Sequence, residues 1–113
     1  MLQVSAPVET PFGVVVANTV WRWTRLLVDL ERRTAHVTVS AFVDAAAAAA
    51  FGTPGERRPL AERHYAVAGP DFDAVVARPA EGDTVSAVVS SAVYAYVRGA
   101  DPFFAAAVEL APR

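Results

Sequence analysis

The sequence predicts an α+β fold, in which a small antiparallel sheet of three to four strands packs against a C-terminal helix. Three patterns support this prediction: a central hairpin over about 20–30 and 35–43, a further strand over about 60–68, and a helix over about 84–98. The 113 residues suffice for one modest hydrophobic core, so we assign 1–113 to a single domain.

Residues 1–11 are predicted to form an extended N-terminal arm, because they contain Pro7 among interspersed polar residues. The apolar run Phe12–Val16 is compatible with a short strand bounded by Pro11 and Asn18. Such a strand either forms a simple sheet edge, which we favour, or adds to the sheet of a neighbouring protein.

The central hairpin is the best-specified element. Apolar residues alternate with other residues along both of its strands, which is the pattern of half-buried strands. Residues 31–34 form a polar loop of a common hairpin length. The alternating apolar residues share one face if Leu30 pairs with Ala35, and this register also places Asp29 opposite His36. A shift of one residue would reverse the faces, so we expect a well-specified register.

The same register places Trp23 opposite Phe42. Trp21 and Trp23 are out of phase with the apolar face of the rest of their strand, so we expect a β-bulge or a second covering layer near Thr24–Arg25. These three aromatic residues form either a second small core under another element, which we favour, or an exposed surface for protein binding.

After the hairpin, Asp44 precedes six alanines, Phe51 and Gly52. This order is typical of a short helix with Asp44 as N-cap and Gly52 just past its end. A helix of about two turns is marginal in water, so it needs tertiary packing. Residues 53–59 form a polar loop that leads into the further strand.

In the further strand, Tyr65 and Val67 are predicted to share one face, and Glu62 and His64 the other. Residues 69–71 end this strand and begin a short helix, because proline is favoured at the first helical positions.

The C-terminal helix is predicted from an apolar stripe with helical spacing. The stripe consists of Val85, Val88, Val89, Ala92, Val93, Tyr96 and Val97. Asp83 or Thr84 can cap the start of the helix, Arg98 suits its last turn, and Gly99 is expected to end it. Tyr94 lies on the polar side of the helix, opposite the apolar stripe. The valines also alternate as in a strand, but the caps favour the helix. A further helical turn begins at Asp101–Pro102 and carries Phe103 and Phe104.

Five aromatic residues are candidates for contact with another protein. They are Trp21, Trp23, Phe42, Phe103 and Phe104.

Composition excludes several functions. Without cysteine the chain has no disulfide and no thiolate metal site. A net charge of −2 without blocks of like charge argues against nucleic-acid binding. The first residues lack the features of a signal peptide, and no apolar run approaches the roughly 20 residues of a membrane span. Lysine and isoleucine are absent and all ten basic residues are arginine, which indicates a GC-rich genome, bacterial or phage.

No catalytic, cofactor-binding or metal site is predicted. His36 and His64 could form a metal or acid–base site with Asp29, but two strands must present them on matching faces with a third ligand, so solvated or core histidines are favoured. Ser90–Ser91 lacks a nucleophile elbow, and no glycine-rich phosphate loop is present. We therefore expect neither an enzyme nor a small-molecule ligand.

A series of short motifs between about 26 and 110 resembles a family of small, mostly uncharacterised proteins encoded among the tail genes of phages and prophages. The motifs are, in order, Val28-Asp29-Leu30-Glu31, Ala35-His36-Val37-Thr38-Val39, Phe42-Val43-Asp44, Arg58-Pro59-Leu60, His64-Tyr65-Ala66-Val67, Gly69-Pro70-Asp71-Phe72-Asp73, Ala95-Tyr96-Val97, Phe103-Phe104 and Ala107-Val108-Glu109-Leu110. The six-alanine segment departs from the family, which tends to be polar there. The family supplies no catalytic residues.

The resemblance implies a virion structural protein of the tail, tail tip, baseplate or neck, assembled in the host cytoplasm and located in the virion. Its expected partners are copies of itself, other virion proteins, or both, because symmetric assembly is the default for such parts. One alternative is a small cytoplasmic binding or regulatory module without catalytic activity. Another is a small-molecule-binding or enzymatic domain that uses His36 and His64.

Overall fold

The computed structural model describes residues 1–110 and has an α+β fold, as predicted. A main sheet of five antiparallel strands has the order β6-β5-β4-β1-β7, and β2 and β3 form a separate two-stranded sheet. The strands are β1 (Leu2–Val4), β2 (Val8–Glu9), β3 (Val15–Val16), β4 (Thr19–Asp29), β5 (Thr34–Phe42), β6 (Ala61–Ala68) and β7 (Val108–Glu109). The helices are α1 (Ala45–Ala49), α2 (Gly69–Val75), α3 (Val85–Ala100) and a 3₁₀ helix (Pro102–Phe104).

The two faces of the main sheet are covered differently. The inner face carries Trp21, Val37 and Val67, which pack with buried residues of α2, α3 and the 3₁₀ helix in one large core. The outer face carries Val20 and Phe42, which pack under α1 in a second, small core. We use these two names, inner face and outer face, throughout.

The register of the central hairpin differs from the prediction by two residues. Val28 pairs with Ala35, and Asp29 pairs with Thr34 rather than with His36. The loop is therefore 30–33, and Asp29 stabilises it because its Oδ1 accepts a hydrogen bond from the backbone N–H of Arg32 at 3.0 Å. A shift of two residues leaves every side chain on its face, so the alternating pattern alone could not distinguish the two registers.

The predicted bulge is present between Trp23 and Arg25. The extra residue, Thr24, has its hydroxyl 2.7 Å from that of Ser40. Since the bulge shifts the alternation by one residue, Trp21 and Trp23 join the inner face. The predicted pairing of Trp23 with Phe42 is wrong, because Trp23 lies opposite Val39, and Phe42 lies opposite Val20 on the other face.

The prediction of an extended arm over 1–11 is also wrong. Strand β1 pairs with β4 on one side and with β7 on the other, and its Leu2 and Val4 are buried. These partners lie far from β1 in the sequence, so local composition gave no sign of them. Of the run Phe12–Val16, only Val15–Val16 forms a strand, which pairs with the nearby β2.

The predicted helices form with their expected N-caps. Asp44 accepts a hydrogen bond from the N–H of Ala47 at 2.8 Å, and Thr84 accepts one from Ala87 at 3.0 Å. Helix α3 continues through Gly99 to Ala100 rather than ending at the glycine. Tyr94, which was expected on the polar side, is buried, whereas Val85 of the predicted stripe is exposed. The alternative of a strand over 85–97 is wrong.

Candidate functional site

The five candidate contact residues are buried or partly buried within the protein. Trp21 and Phe42 are each 1% exposed and Phe104 is 0% exposed, while Trp23 and Phe103 pack against the large core. The ring of Trp21 meets those of Phe103 and Phe104 edge to face, with centroids 5.4 and 5.2 Å apart. The favoured interpretation of Trp21, Trp23 and Phe42 as core residues fits this geometry. In this fold they offer little free surface to a partner.

The sheet separates Phe42 from the two tryptophans. Phe42 packs under α1, with its ring centroid 6.4 Å from that of Phe51. Arg22 closes this small core from the side, because its guanidinium donates to the carbonyl of Ala48 at 3.1 Å and lies 5.0 Å from the centre of the Phe51 ring. The sequence placed the three aromatics in one cluster, and the structure divides them between two.

Trp23 lines a crevice between β4, β7 and the start of α3. Its indole N–H donates to the hydroxyl of Ser90 at 2.9 Å. Met1, Tyr94 and Glu109 also line the crevice, which has a volume of about 380 Å³. Desolvation by burial raises the pKa of Tyr94 and lowers the pKa of the Met1 amino group. The crevice therefore favours the uncharged forms of both groups, and the indole of Trp23 already has a partner.

Asp101 forms a polar cluster with Tyr65 and Arg63. Its carboxylate accepts hydrogen bonds from the hydroxyl of Tyr65 at 2.5 Å, from Arg63 at 3.0 Å and from the backbone N–H of Phe103 at 3.0 Å. Desolvation by burial acts to raise the pKa of Asp101, but these hydrogen bonds and the charge of Arg63 outweigh it and hold the pKa below its usual value. Burial, together with the carboxylate, raises the pKa of Tyr65.

This cluster connects the edge strand β6 to the aromatic core. Asp101 caps the 3₁₀ helix that carries Phe103 and Phe104, and the Arg63 guanidinium lies 4.2 Å from the centre of the Phe103 ring. Because both carboxylate oxygens are already bonded to the protein, Asp101 has the geometry of a structural joint rather than of a general base. The sequence indicated Asp101 only as a helix start, since Arg63 and Tyr65 lie far from it in the chain.

The two histidines lie on the same face of neighbouring strands. His36 and His64 line a shallow concavity of about 490 Å³ on the outer face, together with Arg25 and Thr38. His64 Nδ1 is 3.0 Å from the Thr38 hydroxyl, and its Nε2 is 3.8 Å from a carboxylate oxygen of Glu62. Within residues 1–110, no group of three His, Cys, Asp or Glu side chains is suited to hold a metal ion. The surface is open, and the exposed side chain of Leu27 lies among its polar side chains.

The most exposed aromatic side chain lies in the turn between β2 and β3. Phe12 is 77% exposed, and Val14 and Val15 are 59% and 62% exposed. The turn is fixed by Thr10, whose N–H donates to the Val14 carbonyl at 2.8 Å and whose carbonyl accepts from Gly13 at 3.0 Å. Thr10 itself is buried. We call residues 11–15 the apolar turn. The sequence indicated a strand here, and the Pro11-Phe12-Gly13 signal marks the turn instead.

The described part of the chain contains no helix long and apolar enough to cross a membrane. Comparison with known proteins found no matching family model, no similar curated protein and no similar solved structure.

Proposed function

We propose that this chain is a structural subunit of a bacteriophage particle, in the tail, tail tip, baseplate or neck, and that it acts through contacts with copies of itself or with other virion proteins. The motif series shared with proteins encoded among phage tail genes supports this proposal. The apolar turn supports it independently and is the single observation that carries the protein-contact role.

The apolar turn has two properties of a contact surface. First, it exposes Phe12, Val14 and Val15 within four consecutive residues, and clustered apolar exposure is characteristic of interaction sites. Second, its backbone is held closed by the hydrogen bonds of Thr10, so that little conformational freedom is lost when a partner binds. The turn replaces the tryptophans and Phe42 as the proposed contact, because those side chains support the fold.

The test is the native mass of the full-length protein by light scattering over a concentration series. We expect assembly beyond the monomer, and we expect Phe12→Ser to weaken it by about tenfold or more, since burial of a phenylalanine contributes roughly 1.5–3 kcal/mol. Val108→Ser is a matched control, because Val108 is also exposed but lies on β7. Unchanged assembly of Phe12→Ser, or equal weakening by the control, would contradict the role of the turn.

A second experiment tests the location. Mass spectrometry of purified particles should detect peptides of this chain in a fixed ratio to known tail proteins. Absence from particles, with the protein present in the infected cell, would support the alternative of a cytoplasmic binding or regulatory module.

A further inference from the structure

The crevice beside Trp23 has the dimensions of a site for a small molecule. Its volume of about 380 Å³ lies within the roughly 300–1,000 Å³ that such sites enclose. Four separate segments of the chain line it, namely Met1, residues 22–23 of β4, residues between 84 and 94 at the start of α3, and residues 109–110. Because these segments meet only in the folded protein, no sequence motif marks the crevice.

A buried hydroxyl group opens into this crevice with its proton unused. Tyr94 lines the crevice and is 5% exposed. The backbone N–H of Trp23 acts as a donor toward its oxygen, but the hydrogen bonds among residues 1–110 include no acceptor for its proton. Every fully buried side-chain nitrogen or oxygen of the described residues has a partner, so this hydroxyl reaches the open space. Its proton therefore needs an acceptor from solvent or from a ligand.

The charged groups around the crevice are engaged elsewhere or are disfavoured by burial. The guanidinium of Arg22 donates to a carbonyl of α1 at 3.1 Å, and a carboxylate oxygen of Glu109 lies 4.0 Å from Arg98. Desolvation lowers the pKa of the Met1 amino group. Desolvation also raises the pKa of Tyr94, so its hydroxyl keeps its proton at neutral pH and remains a donor. A charged ligand would lose its hydration here without gaining an unengaged countercharge.

One wall of the crevice is apolar and held in place. The indole N–H of Trp23 donates to the hydroxyl of Ser90 at 2.9 Å, which fixes the ring against α3. Ala87 and Leu110 add apolar surface to the lining. A wall that is fixed before binding costs a ligand little ordering free energy and suits the apolar part of a small molecule. The crevice thus combines apolar surface with uncharged hydroxyl donors, of which Tyr94 is the most buried.

We propose that this crevice binds a small uncharged molecule with an apolar ring and a carbonyl oxygen, and that the hydroxyl of Tyr94 donates to that oxygen. The carbonyl supplies the acceptor that Tyr94 lacks, and the ring packs against the apolar wall formed by Trp23, Ala87 and Leu110. The ligand is uncharged because the described residues of the crevice offer it hydroxyl donors but no unengaged ion. This binding role is separate from the proposed structural role and does not require assembly.

Three probes of nearly the same shape test whether the site selects an uncharged ligand. Benzamide has a ring and an uncharged carbonyl group, whereas benzoate is negative and benzamidine is positive at neutral pH. Each probe is titrated into the ¹⁵N-labelled full-length protein, and ¹H–¹⁵N spectra follow the indole N–H of Trp23 and the backbone N–H of Tyr94. We expect saturable shifts with benzamide at a Kd of roughly 1–10 mM, as is usual for a ligand of this size. Both charged probes should bind at least about tenfold more weakly, because the crevice desolvates them.

Two matched pairs of variants locate the bound ligand. Tyr94→Phe removes the donor and should weaken benzamide binding about fivefold. Tyr96→Phe makes the same change on the same helix and should leave binding unchanged, because Tyr96 packs against Tyr65 and does not line the crevice. Ala87→Phe places a ring in the crevice and should abolish binding, whereas Ala95→Phe, at another exposed position of α3, should not. Circular dichroism confirms that each variant is folded.

The outcomes separate this site from the proposed function. The site is wrong if benzamide causes no saturable shift, if a charged probe binds as tightly as benzamide, or if Tyr94→Phe and Tyr96→Phe have equal effects. Shifts confined to the concavity of His36 and His64, or binding that survives Ala87→Phe, would also overturn it. If the wild type assembles but does not bind benzamide, the structural role stands without the site. If it binds benzamide but is absent from particles, the site stands and the phage role is wrong.

Discussion

A comparison of the two faces of the main sheet shows that the packed helices determine which side chains of one alternating strand are buried. On the inner face, Ala35, Val37 and Val39 of β5 are buried under α2, α3 and the 3₁₀ helix. On the outer face, His36 is exposed at one end of the same strand, whereas Phe42 is buried under α1 at the other. The period of two assigns each residue to a face, but only the packed helices determine whether that face is closed.

The largest effect is expected at the center of the inner face. Trp21→Ala should lower the free energy of unfolding by about 4–5 kcal/mol, because Trp21 is fully buried against Phe103 and Phe104. Urea denaturation of the purified variant measures the change. The double variant Trp21→Ser and Trp23→Ser is expected to unfold. A loss below about 1 kcal/mol in Trp21→Ala would contradict its role in the core.

A smaller loss is expected in the core of the outer face. Phe42→Ala should lower the free energy of unfolding by about 3 kcal/mol, since Phe42 is as buried as Trp21 but belongs to a small cluster closed by one short helix. The same denaturation series measures it. If hydrogen exchange shows that α1 loses its protection while the inner core stays protected, the distinction between the two faces is sharpened. A decrease in the free energy of unfolding equal to that of Trp21→Ala would contradict the distinction.

The joint at Asp101 should have an intermediate and pH-dependent effect. Because its pKa is lowered in the folded protein, its stabilising contribution is present above the unfolded value of roughly 3.9 and is lost as the pH falls through the lower folded value. Asp101→Asn should therefore lower the free energy of unfolding by about 1–2 kcal/mol at pH 7. The ion pair with Arg63 contributes little of this, because the Arg63 side chain is partly exposed. The difference in stability between variant and wild type should shrink below pH 4. A difference independent of pH from 7 to 3 would contradict this assignment.

The smallest effect on stability is expected on the open part of the outer face. Leu27→Ser should change the free energy of unfolding by less than about 0.5 kcal/mol, because Leu27 is more than half exposed and no helix covers it. Thermal unfolding of the variant provides the measurement. A loss above about 1.5 kcal/mol would show that this part of the sheet is covered in solution.

Elements with local signals could be predicted from the sequence. The caps at Asp44 and Thr84 and the bulge near Thr24 depend on neighbours in the chain, and all three are present. The register of the hairpin could not be predicted, because a shift of two residues preserves both faces and the turn around Arg33 decides between the alternatives. Arg33 adopts a positive φ of 51°, which a composition pattern does not reveal.

The site was less predictable than the fold. Residue type alone does not distinguish an exposed aromatic side chain from a buried one. From the sequence, Trp21 and Phe42 remained contact candidates beside the favoured interpretation as core residues, whereas Phe12 was not among the five candidates. The difference arises from partners far along the chain: the 3₁₀ helix covers Trp21, α1 covers Phe42, and Phe12 lies beyond the cover of either core.

The sequence by itself determined the types of most elements, their faces and their caps, because these follow from hydrogen bonds and side-chain periodicity within a few residues. The tertiary structure alone decided that residues 2–4 form a strand between β4 and β7 and that His36 and His64 share an open concavity with Arg25. Both results depend on strand pairings between distant segments. Such pairings are selected by the total apolar surface they bury, which no local pattern contains.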